Sequence, residues 1–163
     1  MKLLSLMAVL ILGACGFSPM YASNDNSGRT VNNLNNIAIS VIPDRSGQYL
    51  RNALIDRFHT NGAPSDPTYK LVIAPIKEKV SDFDITVESE ATRRQLRLSS
   101  QMKLINRQTQ QTVLARDLLS ITSHNVLESE FSTIVTEQSA RDAALNDLAR
   151  QIERNLALHF KNQ

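Results

Sequence analysis

The sequence predicts an α+β two-layer sandwich: two helices on one face of a four-stranded, mostly antiparallel sheet, in the order β-α-β-β-β-α. Three observations predict it. Between Thr92 and Leu104 the side chains alternate, with Leu96, Leu98, Met102 and Leu104 on one face and Arg93, Gln95, Arg97, Ser99, Gln101 and Lys103 on the other. Two other stretches, Leu50 to Phe58 and about Thr133 to Phe160, repeat their apolar residues with helical period. The first of these lies between two strand-like runs with enough chain for a parallel crossover, whereas the later runs follow one another as a meander.

Each element has its own signal. Ile37 to Ile42 alternates large apolar with small residues, as a strand with one buried face does, and Pro43-Asp44-Arg45 ends it. Ser46 is placed to cap the following helix, in which Leu50, Ala53, Leu54 and Phe58 face inward and Arg51, Asn52, Asp56 and Arg57 outward. Asn61-Gly62 and the Pro64 to Pro67 stretch stop it. Tyr69 to Lys79 reads as a second strand with Tyr69, Leu71 and Ile73 on one side, and Pro75 marks an edge or a bulge. The acidic Ser81 to Glu90 stretch reads as a hairpin loop with strand ends. Asn106 to Gln110 is a polar turn. Thr112 to Thr122 is apolar on both faces, through Leu114 and Leu118 on one and Val113, Leu119 and Ile121 on the other, which predicts a central or covered strand. In the last helix Ala144, Leu145, Leu148, Ile152 and Leu156 form the core stripe, and Arg141, Asp142, Asp147, Arg150, Glu153 and Arg154 the wet face. This arrangement leaves the second sheet face bare, carrying Arg93, Gln95, Arg97 and Lys103.

The N-terminus predicts an export signal and a lipid anchor. Met1-Lys2 precedes an apolar run from Leu3 to Leu12. At ~1.5 Å per residue this run covers roughly 15 Å, half of a bilayer's ~30 Å hydrocarbon core, which suits a signal peptide and not a span. Leu12-Gly13-Ala14-Cys15 then matches a lipobox, in which the thiol is acylated and Cys15 becomes the new N-terminus. Residues 1–14 are therefore expected to be a cleaved signal peptide, 15–36 a lipidated N-terminus and Asn/Ser/Gly-rich tether, and 37–163 a single α+β domain. Two or three acyl chains, at ~0.8 kcal/mol per buried CH₂, make the anchoring permanent. Gly16, where an Asp would signal inner-membrane retention, points to the outer membrane.

Composition removes several classes of function. A formal charge of +2 with no basic block, only 5% aromatic residues and no Trp leave no footprint for nucleic acid. One cysteine allows no internal disulfide, and three scattered histidines allow no Cys/His metal cluster. There is no Gly-rich phosphate loop and no G-x-S-x-G elbow, and the Cys15 thiol is consumed by acylation. His59 falls at a helix end, where a surface role beside the helix dipole suits it. His124 and His159 have no ligand at metal spacing. Asp82, Asp84, Glu88 and Glu90 alternate along a hairpin tip, as solvated residues do. No catalytic residue, metal or cofactor is expected; the protein reads as a binding module.

Two motifs carry a family resemblance. Cys15-Gly16-Phe17-Ser18-Pro19-Met20-Tyr21 resembles the C-G-F-x-P-x-Y opening of LptE lipoproteins of alphaproteobacteria, and Ile39 to Leu54 is similar to that family's first strand and helix, with its I-P-x-R-x-G-Q-x-L-R-N-x-L pattern. The resemblance implies an outer-membrane lipoprotein that partners and plugs the large LptD β-barrel, with its domain on the periplasmic side and within the barrel lumen. It further implies help in assembling the barrel, and non-catalytic binding of lipopolysaccharide during its transport. No family ligand residue maps onto this chain. Arg93, Arg94, Arg97 and Lys103 are the candidates of this sequence itself, because lipid A phosphates favour guanidinium and ammonium groups. Arg45 and Arg51, inside the matched motif, are expected to secure the loop and helix start. An auxiliary lipoprotein of an ABC-type lipid transporter, or a small periplasmic hydrolase, would leave the Pro43 to Leu54 motif unexplained.

Overall fold

In the computed structural model, residues 32–60, 62–85, 91–126 and 129–162 are described. The elements are β1 (Ile37–Ile39), α1 (Asp44–Phe58), β2 (Tyr69–Ile73), β3 (Lys77–Ile85), β4 (Ala91–Asn106), β5 (Thr112–Asn125) and α2 (Glu130–Lys161). The signal peptide, Cys15 and most of the tether lie outside the described residues.

β4 is the axis of the sheet. Its 16 residues run about 53 Å at ~3.3 Å each. β5 pairs antiparallel along one edge from Arg93 to Ile105. The opposite edge is shared: β2 takes Met102 to Asn106 and β3 takes Ala91 to Ser99, both antiparallel. β1 adds three parallel pairs outside β2, Ile37 facing Tyr69 to Ile39 facing Leu71. Leu96, Leu98, Met102 and Leu104 are buried on one face of β4, as the alternation requires.

Both helices cover that face. α1 contributes Leu50, Leu54 and Phe58 and α2 contributes Ala144, Leu145, Leu148, Ile152 and Leu156 to one continuous core with Leu71, Ile73, Leu114 and Leu118. At ~25 cal/mol per Å², each fully buried Leu or Phe contributes about 1.5–3 kcal/mol, so the core is the main source of stability. Arg141 fastens α2 to β3: its guanidinium donates to Glu78 at 2.7 and 3.0 Å and to Glu137 at 2.7 Å. These bonds, that to Glu78 foremost, outweigh the cost of partial burial and raise its pKa above the ordinary arginine range.

The fold class is as expected, with several differences of detail. There are five strands, not four, because Pro75 has no N–H to give and breaks the run from Tyr69 to Lys79 between β2 and β3. The ladder is bridged at the break: Ala74 donates from its backbone to Gln101 and its carbonyl accepts from the Ser100 hydroxyl at 2.7 Å. Strand pairing then continues to Ile85, through half of the acidic stretch expected to be loop.

β1 stops at Ile39, so the alternation does not carry to Val41, which is 80% exposed while Ile42 turns inward. α1 starts at Asp44, at φ +66°, with no side-chain cap, so Ser46 lies inside the helix instead of capping it. Asp is among the few residues that accept such a φ, and its charge suits a helix N-terminus. Residues 32–35 form a helical turn that buries Leu34, so part of the stretch read as tether belongs to the packed domain. α2 begins at Glu130, one turn before the expected start. β5 is an edge strand, paired only with β4; its apolar outer residues Leu119 and Ile121 are each 45% exposed, neither central nor covered.

Gly47 explains how α1 seats on the segment that leads into it. A Cβ there would stand 2.7 Å from Ile42 Cγ2 and 2.9 Å from the Ile42 carbonyl. Gly47→Ala is expected to destabilise the domain by about 1–3 kcal/mol, because backbone and not a flexible tip must yield, more than offsetting the ~1 kcal/mol helix-propensity gain. Urea unfolding measures this; equal or higher stability would refute the close contact.

Candidate functional site

The uncovered face of the sheet is built by strand parity alone. Because Leu96 and Leu98 face the helices, their cross-strand partners Glu78 and Val80 on β3 and Ser120 and Thr122 on β5 do too. The intervening residues face outward. On β3 these are Lys77 and Lys79, on β4 Arg93, Arg97 and Lys103, on β2 Lys70, and every one of them is exposed. β5 adds Leu119, Ile121 and Asp117, whose carboxylate accepts from the Gln101 side chain at 2.7 Å. Among the described residues, no ion pair engages Lys70, Lys77, Lys79, Arg97 or Lys103. Lys79 and Arg97 stand directly opposite each other. Facing like charges weaken a sheet, so this pairing is a cost the fold carries.

The structure separates the four candidate arginines and lysine. Arg93, Arg97 and Lys103 share the bare face, but Arg93 and Arg97 are about 13 Å apart along the strand and Arg97 and Lys103 about 20 Å. One phosphate cannot span those gaps. Arg94 points to the opposite face, where its Nε lies 3.2 Å from Asp82. Lys77 and Lys79 are not among the residues the sequence singles out, because the strand expected there ends at Lys79; their alternation with Glu78 and Val80 is the signal for them. Arg45 and Arg51, expected to secure the helix start, make no hydrogen bond or ion pair among the described residues, and Arg51 Nε is buried without a partner.

The three histidines have different surroundings. His59 caps α1 through its backbone, and its Nε2–H donates to the Ile37 carbonyl at 2.9 Å, which ties the helix end to β1. This is more than the surface role expected for it. His124 lies within β5 facing α2, 4% exposed, with both ring nitrogens unpartnered. His159 packs beside Phe160, which in turn meets Tyr69 at 5.3 Å. Burial, and then the Arg116 cation, hold its imidazole below the ordinary histidine pKa. Asp147 on α2 is pushed up by burial, its largest single influence. Hydrogen bonds from Gln151 and Ser120, with Arg150 beside it, outweigh that and leave its carboxyl below the usual range. Among the described residues, no group of three or more His, Cys, Asp or Glu is placed to hold a metal, and no helix is long and apolar enough to cross a membrane.

The family model described as LptE, lipopolysaccharide-assembly, matches residues 34–157. Among solved structures, a Caulobacter crescentus CB15 protein described as a lipoprotein is similar, with a TM-score of 0.65 at 22% identity over 85% of this chain and 99% of that one. A minor lipoprotein of Acinetobacter baumannii follows at 0.57 and 18%, over 75% of this chain and 90% of that one. The rare lipoprotein B of Shewanella oneidensis reaches 0.58 at 9%, over 75% and 93%. At these identities the structures establish a shared fold. No curated protein matches the chain.

The depressed imidazole of His159 gives the stability a pH dependence with a definite sign. The unfolded chain takes up that proton at a higher pH than the folded one. Stability is therefore fully present above about pH 6.5 and declines as pH falls through that value, until folded His159 is itself protonated. His159→Gln is expected to remove that part of the decline. Urea unfolding at roughly pH 5.5 and 7.5 tests it; an unaltered difference between the two would refute the assignment.

Proposed function

The chain belongs to the LptE lipopolysaccharide-assembly family, and from that premise we propose an outer-membrane lipoprotein, anchored through Cys15, that partners and plugs an LptD-type β-barrel. Its role is in lipopolysaccharide assembly. In the proposed arrangement the domain hangs on the periplasmic side and enters the barrel lumen, assists the barrel's assembly and binds lipopolysaccharide in transit without chemistry.

One observation supports this reading most: the sheet is dry on one face and bare on the other. The helices bury the apolar side, which leaves a broad cationic and polar surface on which Asp117 is bonded to Gln101 and Asp84 stands opposite Arg93. A barrel interior is polar and wet, so a plug must present polar groups to it. Lipid A phosphates call for cations, and Arg97 and Lys103, without an ion pair among the described residues, supply them together with Arg93 at separate points along β4. Arg94, already paired with Asp82 on the other face, is left as a structural residue in this proposal.

Affinity purification of the tagged protein from detergent-extracted outer membrane is expected to recover a stoichiometric, heat-modifiable partner of large mass. Recovery alone, or with inner-membrane transporter subunits, would refute the plug. The combined Arg93→Glu and Arg97→Glu variant is expected to lose lipopolysaccharide affinity by about tenfold or more, the scale of one or two charge-assisted hydrogen bonds. Unchanged affinity would remove these residues from the site.

A further inference from the structure

We propose that a six-residue grid on the bare sheet face is a two-part site for a phosphorylated, acyl-bearing glycolipid, with a phosphate clamp on β3 and β4 and an acyl rest on β5. It rests on the lipopolysaccharide reading above and names the place and the parts of recognition.

The register defines the grid. One row runs Lys77, Ser99, Leu119 and the next runs Lys79, Arg97, Ile121, each residue directly opposite its neighbour on the adjoining strand. Strands lie about 4.8 Å apart and same-face residues about 6.7 Å, so the grid measures roughly 10 by 7 Å. Lys77, Lys79 and Arg97 surround the Ser99 hydroxyl at one end, and none has an ion-pair partner among the described residues. At the other end Leu119 and Ile121 are each 45% exposed.

The flanks do not relieve the charge. On one side Gln95 faces Ser81 and Ser123, all uncharged. On the other Asp117 is one residue pair beyond Leu119 and is held by Gln101 at 2.7 Å.

Two features of the grid are each unfavourable in water. Facing cations repel across the strands, and the exposed aliphatic side chains leave apolar surface wet. One occupant satisfies both. A phosphate fits among the three cations and the hydroxyl, with guanidinium and ammonium donors sharing its oxygens. An acyl chain or other apolar segment attached to the same headgroup would lie along Leu119 and Ile121. A free phosphate would satisfy only the first half, and an uncharged lipid only the second.

The test compares three probes on the full acylated chain in nonionic detergent: intact lipopolysaccharide, its dephosphorylated form, and its deacylated phosphorylated saccharide. Lys79→Glu places an acid opposite Arg97, so its melting temperature is expected to equal or exceed the parent's while affinity for both phosphorylated probes falls at least tenfold. Its affinity for the dephosphorylated probe stays unchanged. Leu119→Ser combined with Ile121→Ser is expected to weaken the two acylated probes and leave the deacylated saccharide unaffected. Arg154→Gln, on the wet face of α2, serves as the control and changes none of these.

If the parent binds all probes and both grid variants match it, the grid is overturned while the lipopolysaccharide reading stands. If the parent binds no probe, that reading fails and the grid with it. If Lys79→Glu keeps its lipid affinity but loses a co-purifying protein, the face is a protein interface and the proposal is overturned.

Discussion

The two-residue period of β4 is the constraint on which the rest of this structure depends. Its side chains divide into a buried set, Leu96, Leu98, Met102 and Leu104, and an exposed set, Arg93, Arg97, Gln101 and Lys103. Because β4 pairs with three of the other four strands, its division is imposed on β2, β3 and β5 through the register. A one-residue slip would send every leucine into water and every cation into the core, a cost of many kcal/mol that fixes the pairing. The helices follow from this. The apolar face of β4 from Leu96 to Leu104 is about 26 Å long, and the buried stripe of α2 from Ala140 to Phe160, about 30 Å, covers it.

The packed core and the exposed charge are thereby assigned to opposite sides of one sheet. The helix side holds the continuous core and the Arg141 fastening to Glu78 and Glu137. The bare side is free to carry features that a sheet would otherwise select against: Lys79 opposite Arg97, and exposed Leu119 and Ile121 on an edge strand. Such local costs amount to about a kcal/mol each at most, small beside a core that buries more than twenty side chains.

The ends of the chain segments are secured individually. Gly47 lets α1 close onto Ile42, His59 joins the end of α1 to the Ile37 carbonyl, and Arg107 in the β4–β5 turn donates to the Pro67 carbonyl at 2.7 Å. Asn106 closes that turn, its side-chain oxygen accepting from the Gln108 and Thr109 amides as an Asx turn does.

The amino-acid sequence determined the elements whose signal is local. The alternation from Thr92 to Leu104, the stripes of Leu50, Leu54 and Phe58 and of Leu145, Leu148 and Ile152, and the polar turn after Asn106 were all legible, because each is a short-range periodicity that burial enforces. The motif from Pro43 to Leu54 was legible as well, and with it the family. Boundaries set by distant partners were not. β1 ends at Ile39, where the chain leaves β2 for α1 although β2 runs on to Ile73, and the acidic run to Ile85 is strand because β4 extends beside it. The candidate site was half readable: parity put Arg93, Arg97 and Lys103 on one face, and the same parity sets Arg94 on the other. Only the tertiary structure brought Lys77 and Lys79 beside Arg97 and left Leu119 and Ile121 uncovered next to them, because neighbours across strands are chosen by register and by which edge stays open, quantities that no window of sequence contains.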